Sequence, residues 1–267
     1  MQGTFRRVSS SLARRAGIYT PLRALYNVLF LSRSTRTLSA GTLRATFNTP
    51  THTIMEHVES WGGEKSLVEE FLENLKPEDV FWDVGASFGL YTVLAAKKIT
   101  PPGSVVAFEP EPHMRALLEK NLRLNDIRSV SVQAIALGDR DGDAEIFAAA
   151  NPNSGTSSLA VRKDYRLKKR GIPVELRRGD TLSGAEGVHP PTCLKIDVEG
   201  SEAKVIAGMK AILADRRLHS IYCEVHPQLL PSFGESAEVF ERTFTDAGFV
   251  IVKKEPRGRE YHIICRR

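Results

Sequence analysis

The chain has 267 residues, of which 42% are hydrophobic and 26% are charged, a composition that fits one α/β domain with additions and an ample buried core. Its net charge of +5 is concentrated at one end, since residues 1–55 contain eight arginines and no acidic residue. The rest of the chain has 29 basic and 32 acidic residues, a balance of −3, which argues against a specific nucleic-acid partner for the domain.

Residues 1–55 are predicted to form a basic N-terminal extension, followed by a single domain at 56–267. Thr20-Pro21 can begin an amphipathic helix that carries Leu22, Leu25, Tyr26 and Leu29 on one face. We favour a helix docked on the domain and a cytoplasmic location. Two alternatives stay open: peripheral membrane contact through residues 1–38, and an organellar transit segment rich in arginine and serine. Residues 42–55 are predicted to contain one or two short strands.

The stretch VFWDVGASFG, residues 80–89, predicts a strand, a tight turn and the start of a helix. Gly85, Ala86 and Gly89 belong to the turn, where glycine allows a ligand to approach the backbone closely. Asp83 ends the strand and is placed to meet a cation. A dinucleotide turn needs G-x-G-x-x-G, which is absent here. A ligand that carries both a carboxylate and an ammonium group, the methionine half of S-adenosylmethionine, satisfies both features.

A second strand and a third continue the α/β pattern. Residues 104–109 end in Glu109, 26 residues after Asp83, close to the spacing at which an acidic residue binds a ribose diol. Residues 130–136 form the third predicted strand, and Ala136 at its end is expected to line an adenine pocket. The alternative for this segment is a simple turn at Gly138-Asp139.

A basic insertion is predicted at about 141–179. It contains two expected strands, Ala144–Ala149 and Ile172–Arg177, and a loop at 151–155. The run Arg162–Arg170 carries six basic residues, which we interpret as a solvated surface; the alternative is a lip that attracts an acidic acceptor.

The fourth and fifth strands, 192–197 and 220–226, both end in ionisable residues. These are Asp197, Glu199, Glu224 and His226. In a doubly wound sheet, ligands bind outside the carboxyl ends of the strands where the strand order reverses, so Asp197 is expected to face Asp83 across the cleft. The last two predicted strands, at 249–253 and 261–265, form a pair.

The three cysteines are expected to be buried, reduced thiols.

The sequence resembles the FkbM-type S-adenosylmethionine-dependent methyltransferases. The matching stretches are FWDVGASFGLYTVLAA, VVAFEPEP, NLRLN, ALGD and LKIDVEGSEAKVIAGM. The resemblance implies a class I methyltransferase (Rossmann-like) fold, an α/β architecture whose seven-stranded, mostly parallel sheet has helices on both faces and a C-terminal antiparallel hairpin. It also implies S-adenosylmethionine as cofactor and methylation of a hydroxyl of a small molecule, sugar or glycolipid. The family's cofactor roles map onto Asp83, Gly85 and Glu109, with Asp197 at the methyl-transfer end.

Methyl transfer to a hydroxyl needs alignment of both reactants and a base for the hydroxyl proton. Asp197 is our first candidate for the base, with His226 and Glu199 as alternatives. No metal is expected, because Asp197 and Glu199 lack a visible third ligand. The alternative functions are a non-catalytic nucleoside-binding or membrane-associated adaptor and a methyltransferase that acts on nucleic acid or protein. The oligomeric state is left open by the sequence.

Overall fold

The computed structural model describes residues 34–148, 157–158, 171–185 and 188–267, together with Leu25 and Leu31. The strands are β1 Thr35–Ala40, β2 Leu43–Asn48, β3 Val80–Val84, β4 Ser104–Phe108, β5 Val130–Gln133, β6 Ile135–Leu137, β7 Gly142–Ala148, β8 Ser157–Ser158, β9 Ile172–Arg177, β10 Cys193–Ile196, β11 Ser220–Val225, β12 Val250–Arg257 and β13 Glu260–Arg266. The α-helices are α1 His52–Ser60, α2 Lys65–Asn74, α3 Leu90–Ala96, α4 Pro112–Leu124, α5 Gly179–Leu182, α6 Glu202–Ala207, α7 Lys210–Ala214 and α8 Ala237–Asp246. Within the described ranges, no helix combines the length and apolarity needed to cross a bilayer.

Several predictions for the N-terminal and insertion segments fall outside the described residues. They are the helix after Thr20, the membrane contact through residues 1–38 (of which only Leu25, Leu31 and residues 34–38 are described), the loop at 151–155 and the basic run Arg162–Arg170. These assignments stay predictions.

A seven-stranded sheet in the order β12-β13-β11-β10-β3-β4-β5 forms the centre of the fold. The pairs from β11 through β5 are parallel, and β13 runs antiparallel to both of its neighbours. This topology confirms the predicted class I methyltransferase fold with its C-terminal hairpin. Because β3 is central, with β10 on one side and β4 on the other, the strand order reverses at β3, where ligands bind in such sheets.

Helices cover both faces of the sheet. Side chains of successive residues in its central strands point to opposite faces, so both faces present apolar side chains to the helices. On β3, Phe81 and Trp82 are both fully buried, yet they belong to different apolar clusters. Phe81 packs with Phe71 of α2 at 4.9 Å between ring centroids, whereas Trp82 packs with Phe108 of β4 at 5.0 Å. The continuous apolar sequence of β3 therefore reflects burial on both sides.

The predicted third strand, 130–136, is two strands that belong to different sheets. β5 is the edge strand of the main sheet and ends at Gln133. β6 begins at Ile135 and pairs in parallel with β9. A second sheet in the order β6-β9-β7-β8 contains the two strands predicted for the insertion, with β7 ending at Ala148. The single-strand prediction was wrong because β9 supplies a separate partner for residues 135–137.

The folded unit begins before the predicted boundary at residue 56, which falls inside α1. The β1–β2 hairpin packs on α4, where the Asn121 side chain accepts from the Asn48 backbone N–H and donates to the Phe88 carbonyl, both at 2.8 Å. Phe47 is fully buried and contacts the Phe88 ring edge-on at 6.0 Å. The second part of the predicted extension is therefore part of the domain.

Candidate active site

The turn after β3 is fixed by close contact with the end of β10. The backbone N–H groups of Gly85 and Ala86 both bond to the Phe108 carbonyl, at 3.0 and 3.1 Å. Gly85 has φ +80°, and a Cβ at this position would lie 1.9 Å from the Asp197 carbonyl oxygen. Only glycine fits at this position. The close approach of the ends of β3 and β10 therefore explains why residue 85 is a glycine.

A cavity of about 350 Å³ lies beside this turn, at the carboxyl ends of β3, β4 and β10. The predicted site residues that line it are Gly85, Ala86, Glu109, Ala136, Asp197 and Glu199. Asp83, Gly89 and His226 do not line it. Gly89, with φ +91°, instead permits contact with α4, because a Cβ there would lie 2.3 Å from the Leu118 side chain. Its predicted role in ligand binding stays a prediction.

Glu109 connects the turn to the end of β4. One carboxylate oxygen accepts from the Ser87 N–H at 2.7 Å, and the other accepts from the Glu111 N–H at 2.9 Å. Burial raises the pKa of Glu109 to about 7, against the lowering effect of these two hydrogen bonds. Each carboxylate oxygen has a second lone pair, so Glu109 can also accept from a ligand hydroxyl in the cavity.

Asp83 does not reach the cavity, which corrects its predicted contact with a ligand cation. Its side chain is fully buried; one oxygen accepts from the Thr92 hydroxyl at 2.5 Å, and the other lies 3.7 Å from Lys195 Nζ. Burial raises the pKa of Asp83, and the charge of Lys195 offsets part of this rise. The cation that Asp83 meets is therefore a side chain of the same protein.

Lys195 is the main site residue that the sequence analysis missed. It lies on β10 and is 8% exposed; its Nζ is 3.2 Å from Asp197 Oδ2 and donates to the Gly85 carbonyl at 3.4 Å. Burial lowers its pKa, but the charges of Asp197 and Asp83 outweigh burial, so the pKa lies above the usual value. A lysine inside the otherwise apolar strand TCLKID was the signal that indicated a buried partner.

Asp197 lies on the cavity wall with a side chain that is 26% exposed, and its surroundings favour the ionised form. Burial raises its pKa, but the positive charges of Lys195 and His226 lower it well below the usual range. Glu224, on the neighbouring strand β11, shows the opposite behaviour, since burial and the charge of Asp197 raise its pKa. The pKa values of these two neighbouring carboxyls are therefore shifted in opposite directions.

His226 lies behind the cavity wall and is 2% exposed. Its Nδ1 is 2.7 Å from Glu202 Oε1, and Glu202 is fully buried. Burial lowers the pKa of His226, but the hydrogen bond and charge of Glu202, with the charge of Asp197, raise it to about 10. In this arrangement Glu202 and Asp197 favour the protonated ring, and the alternative of His226 as the base stays a prediction.

A second polar cluster also lines the cavity and was not predicted. Arg257 Nη1 from β12 lies 2.8 Å from Glu64 and 2.7 Å from Glu224, and the Tyr91 hydroxyl donates to Glu64 at 2.9 Å. Burial raises the pKa of Glu64, although Arg257 lowers it. These residues give this part of the cavity polar walls, which suit a ligand with several hydroxyl groups.

Comparison with known proteins agrees with this geometry. A family model described as Methyltransferase FkbM domain matches residues 83–251. Hexuronic acid methyltransferase AglP of Haloferax volcanii is 26% identical over 170 residues, 63% of this chain and 65% of that protein. The 2-O-methyltransferase NoeI of Sinorhizobium fredii is 26% identical, covering 72% of this chain and 80% of NoeI. The 31-O-demethyl-FK506 methyltransferase FkbM of Streptomyces tacrolimicus is 28% identical, with coverage of 72% and 82%. The chain thus spans slightly less than two thirds of AglP.

Proposed function

The chain belongs to the FkbM methyltransferase family, whose model covers more than half of its residues, and on this basis we propose that it transfers a methyl group from S-adenosylmethionine to a hydroxyl of a small-molecule or sugar acceptor. The observation that carries the proposal is the cavity at the reversal of strand order, with Glu109 on its wall at β4 and Asp197 on its wall at β10. The printed names support an oxygen or sugar-acid acceptor: AglP is a hexuronic acid methyltransferase, NoeI a 2-O-methyltransferase and FkbM a 31-O-demethyl-FK506 methyltransferase.

The proposed orientation of the cofactor follows from which residues line the cavity. Glu109 accepts hydrogen bonds from the ribose hydroxyls, and Ala136 provides an apolar contact for adenine. The turn at Gly85 and Ala86 would hold the methionine end of the cofactor, and Asp197 would face the methyl group that it supplies. The acceptor enters from the side of Glu64 and Arg257.

Asp197 is the residue proposed to receive the acceptor proton. When bound, S-adenosylmethionine supplies an electrophilic methyl group, and the cavity walls would hold the acceptor oxygen in line with it. As the new carbon–oxygen bond forms, the hydroxyl proton becomes strongly acidic, so a carboxylate with a lowered pKa can still accept it. Lys195 contributes by holding Asp197 ionised and by fixing its position against the turn.

The test is methyl transfer from labelled S-adenosylmethionine, first to compounds in a cell extract and then to the purified acceptor. Asp197→Asn is expected to lower turnover by roughly 10²–10⁴ while cofactor affinity stays within about threefold, as for loss of a general base. Asp143→Asn, an exposed aspartate on β7, is the control and should retain normal turnover.

Two results would contradict the proposal. Near-normal turnover of Asp197→Asn at saturating cofactor would remove this residue from the proton transfer. Tight cofactor binding without label transfer to any hydroxyl compound in the extract would instead favour the non-catalytic adaptor.

A further inference from the structure

Helix α1 contributes part of the cavity wall, although it precedes the residues that the family model matches. Thr53, Ile54 and His57 line the cavity, and residues three and four positions apart share one face of a helix. The family model matches residues 83–251. The wall that α1 provides therefore lies outside the segment common to the family, where we expect contacts that are particular to the acceptor of this protein.

The ring of His57 is held in place by two neighbours. It meets the Phe88 ring edge-on, with 5.2 Å between the ring centroids and 85° between the planes. Gly62, two residues after the end of α1, has φ +65° and lies so close that a Cβ there would be 2.6 Å from His57 Nε2. The Gly62 carbonyl accepts a hydrogen bond from Arg257 Nη2, which fixes this turn against β12. The ring is therefore a preorganised group on the cavity wall.

The ring nitrogens of His57 have no hydrogen-bond partner among the described residues. Burial lowers the pKa of His57 to about 4, and the charge of Arg257 acts in the same direction. The ring is therefore neutral at neutral pH and offers one N–H donor and one lone-pair acceptor. A partly buried polar group that lines a cavity without a protein partner is suited to form its hydrogen bonds with a ligand.

The charged groups near His57 are already paired with one another. Arg257 Nη1 lies 2.8 Å from Glu64 and 2.7 Å from Glu224, and Glu64 also accepts from the Tyr91 hydroxyl at 2.9 Å. An acceptor that bound through a charge of its own would have to break these pairs. His57 can instead bind an uncharged group without disturbing them.

We propose that His57 binds the acceptor through a hydroxyl other than the one that is methylated. A hydroxyl both donates and accepts a hydrogen bond, as a neutral imidazole does. The hydroxyl that is methylated is proposed to face Asp197, so the contact with His57 needs a second one. The inference rests on the proposed function and narrows its acceptor to a compound with several hydroxyls, such as a sugar or another polyol.

The experiment measures kcat/KM of the full chain for the acceptor identified by methyl labelling and for its deoxy analogues, each lacking one of the other hydroxyls. With wild type, the analogue without the bound hydroxyl should lose about 10- to 100-fold. His57→Phe keeps an aromatic ring beside Phe88 but has no ring nitrogen. It should show a similar loss with the complete acceptor and little further loss with that analogue. His57→Gln keeps a donor and an acceptor and should recover part of the activity.

Gly62→Ala is an independent variant that keeps His57 but displaces its ring. A Cβ at position 62 would contact His57 Nε2, whereas a Cβ at the adjacent Gly63, with φ +83°, would have nothing within 4 Å. The KM for the acceptor should therefore be about tenfold higher in Gly62→Ala than in Gly63→Ala. Affinity for S-adenosylmethionine should be the same in both variants.

Thermal melting and calorimetric titration with S-adenosylmethionine check the fold of each variant. If His57→Phe does not fold, the comparison of Gly62→Ala with Gly63→Ala decides. An acceptor with a single hydroxyl would overturn the inference, as would losses with every deoxy analogue that are equal in wild type and His57→Phe; both results leave the proposed function intact. Weaker cofactor binding by His57→Phe would assign the ring to the cofactor and also overturn the inference. Absence of label transfer to any hydroxyl compound would contradict the proposed function, and the inference would fall with it.

Discussion

Replacing Lys195 by methionine is the most direct test of how the candidate site is held together. Methionine keeps an unbranched apolar stem but removes the positive charge between Asp83 and Asp197. Asp83 is fully buried, and its Oδ1 has no hydrogen-bond partner among the described residues. Without Lys195, this carboxylate must either remain charged in a buried position or take up a proton, and both options reduce the free energy of unfolding.

The size of the effect follows from the two distances. Lys195 Nζ lies 3.2 Å from Asp197 Oδ2 and 3.7 Å from Asp83 Oδ1. At an effective dielectric constant of about 20, these attractions are about 5 and about 4.5 kcal/mol, opposed by the cost of removing all three charges from water. Removing one partner of a buried pair usually costs about 3–5 kcal/mol, so we expect a loss of that size. This is a large fraction of the ~5–15 kcal/mol that stabilises a typical domain.

The assay is urea unfolding of chelator-treated protein at neutral pH, followed by fluorescence. Adding Asp83→Asn to Lys195→Met should recover part of the loss, because the double variant no longer contains the unpaired buried charge. The control is Lys65→Met, whose exposed lysine pairs with Glu69 at 3.6 Å and should show no measurable change. A loss below about 1 kcal/mol for Lys195→Met, or additive effects in the double variant, would refute the reasoning.

Two further predictions concern the turn and the cofactor. In urea unfolding, Gly85→Ala should destabilise the fold by about 1–3 kcal/mol more than Gly63→Ala. Both glycines have φ near +80°, but only at position 85 would the added Cβ lie against the Asp197 carbonyl. Equal losses in the two variants would assign the effect to φ alone. Affinity for S-adenosylmethionine should rise between pH 6 and 8 in calorimetry, because burial raises the pKa of Glu109 to about 7 and the ionised form binds the ribose hydroxyls more strongly. Glu109→Gln should remove this pH dependence, and a wild-type affinity that is constant over the range would count against a ribose contact.

The succession of elements and the edge that holds the site could be predicted from the sequence alone. Local periodicity reports which face of an element is buried, and glycine positions report where the chain turns. The carboxyl ends of parallel strands meet at one edge of the sheet, so acidic residues at two strand ends were expected to lie close together. Glu109 and Asp197 do line one cavity. These inferences need only local patterns and the handedness of parallel connections.

The partners of the charged side chains were decided by the tertiary structure. Asp83 meets Lys195 rather than a ligand, and Arg257 from β12 joins Glu64 from the start of α2. Burial, which sets the sign of each pKa shift, likewise depends on which elements pack together: Asp197 is held ionised, whereas Glu224 on the next strand is driven toward its neutral form. Sequence periodicity specifies a buried face, but a contact between residues far apart in the chain leaves no local pattern, so only the packed fold determines which charge lies beside which.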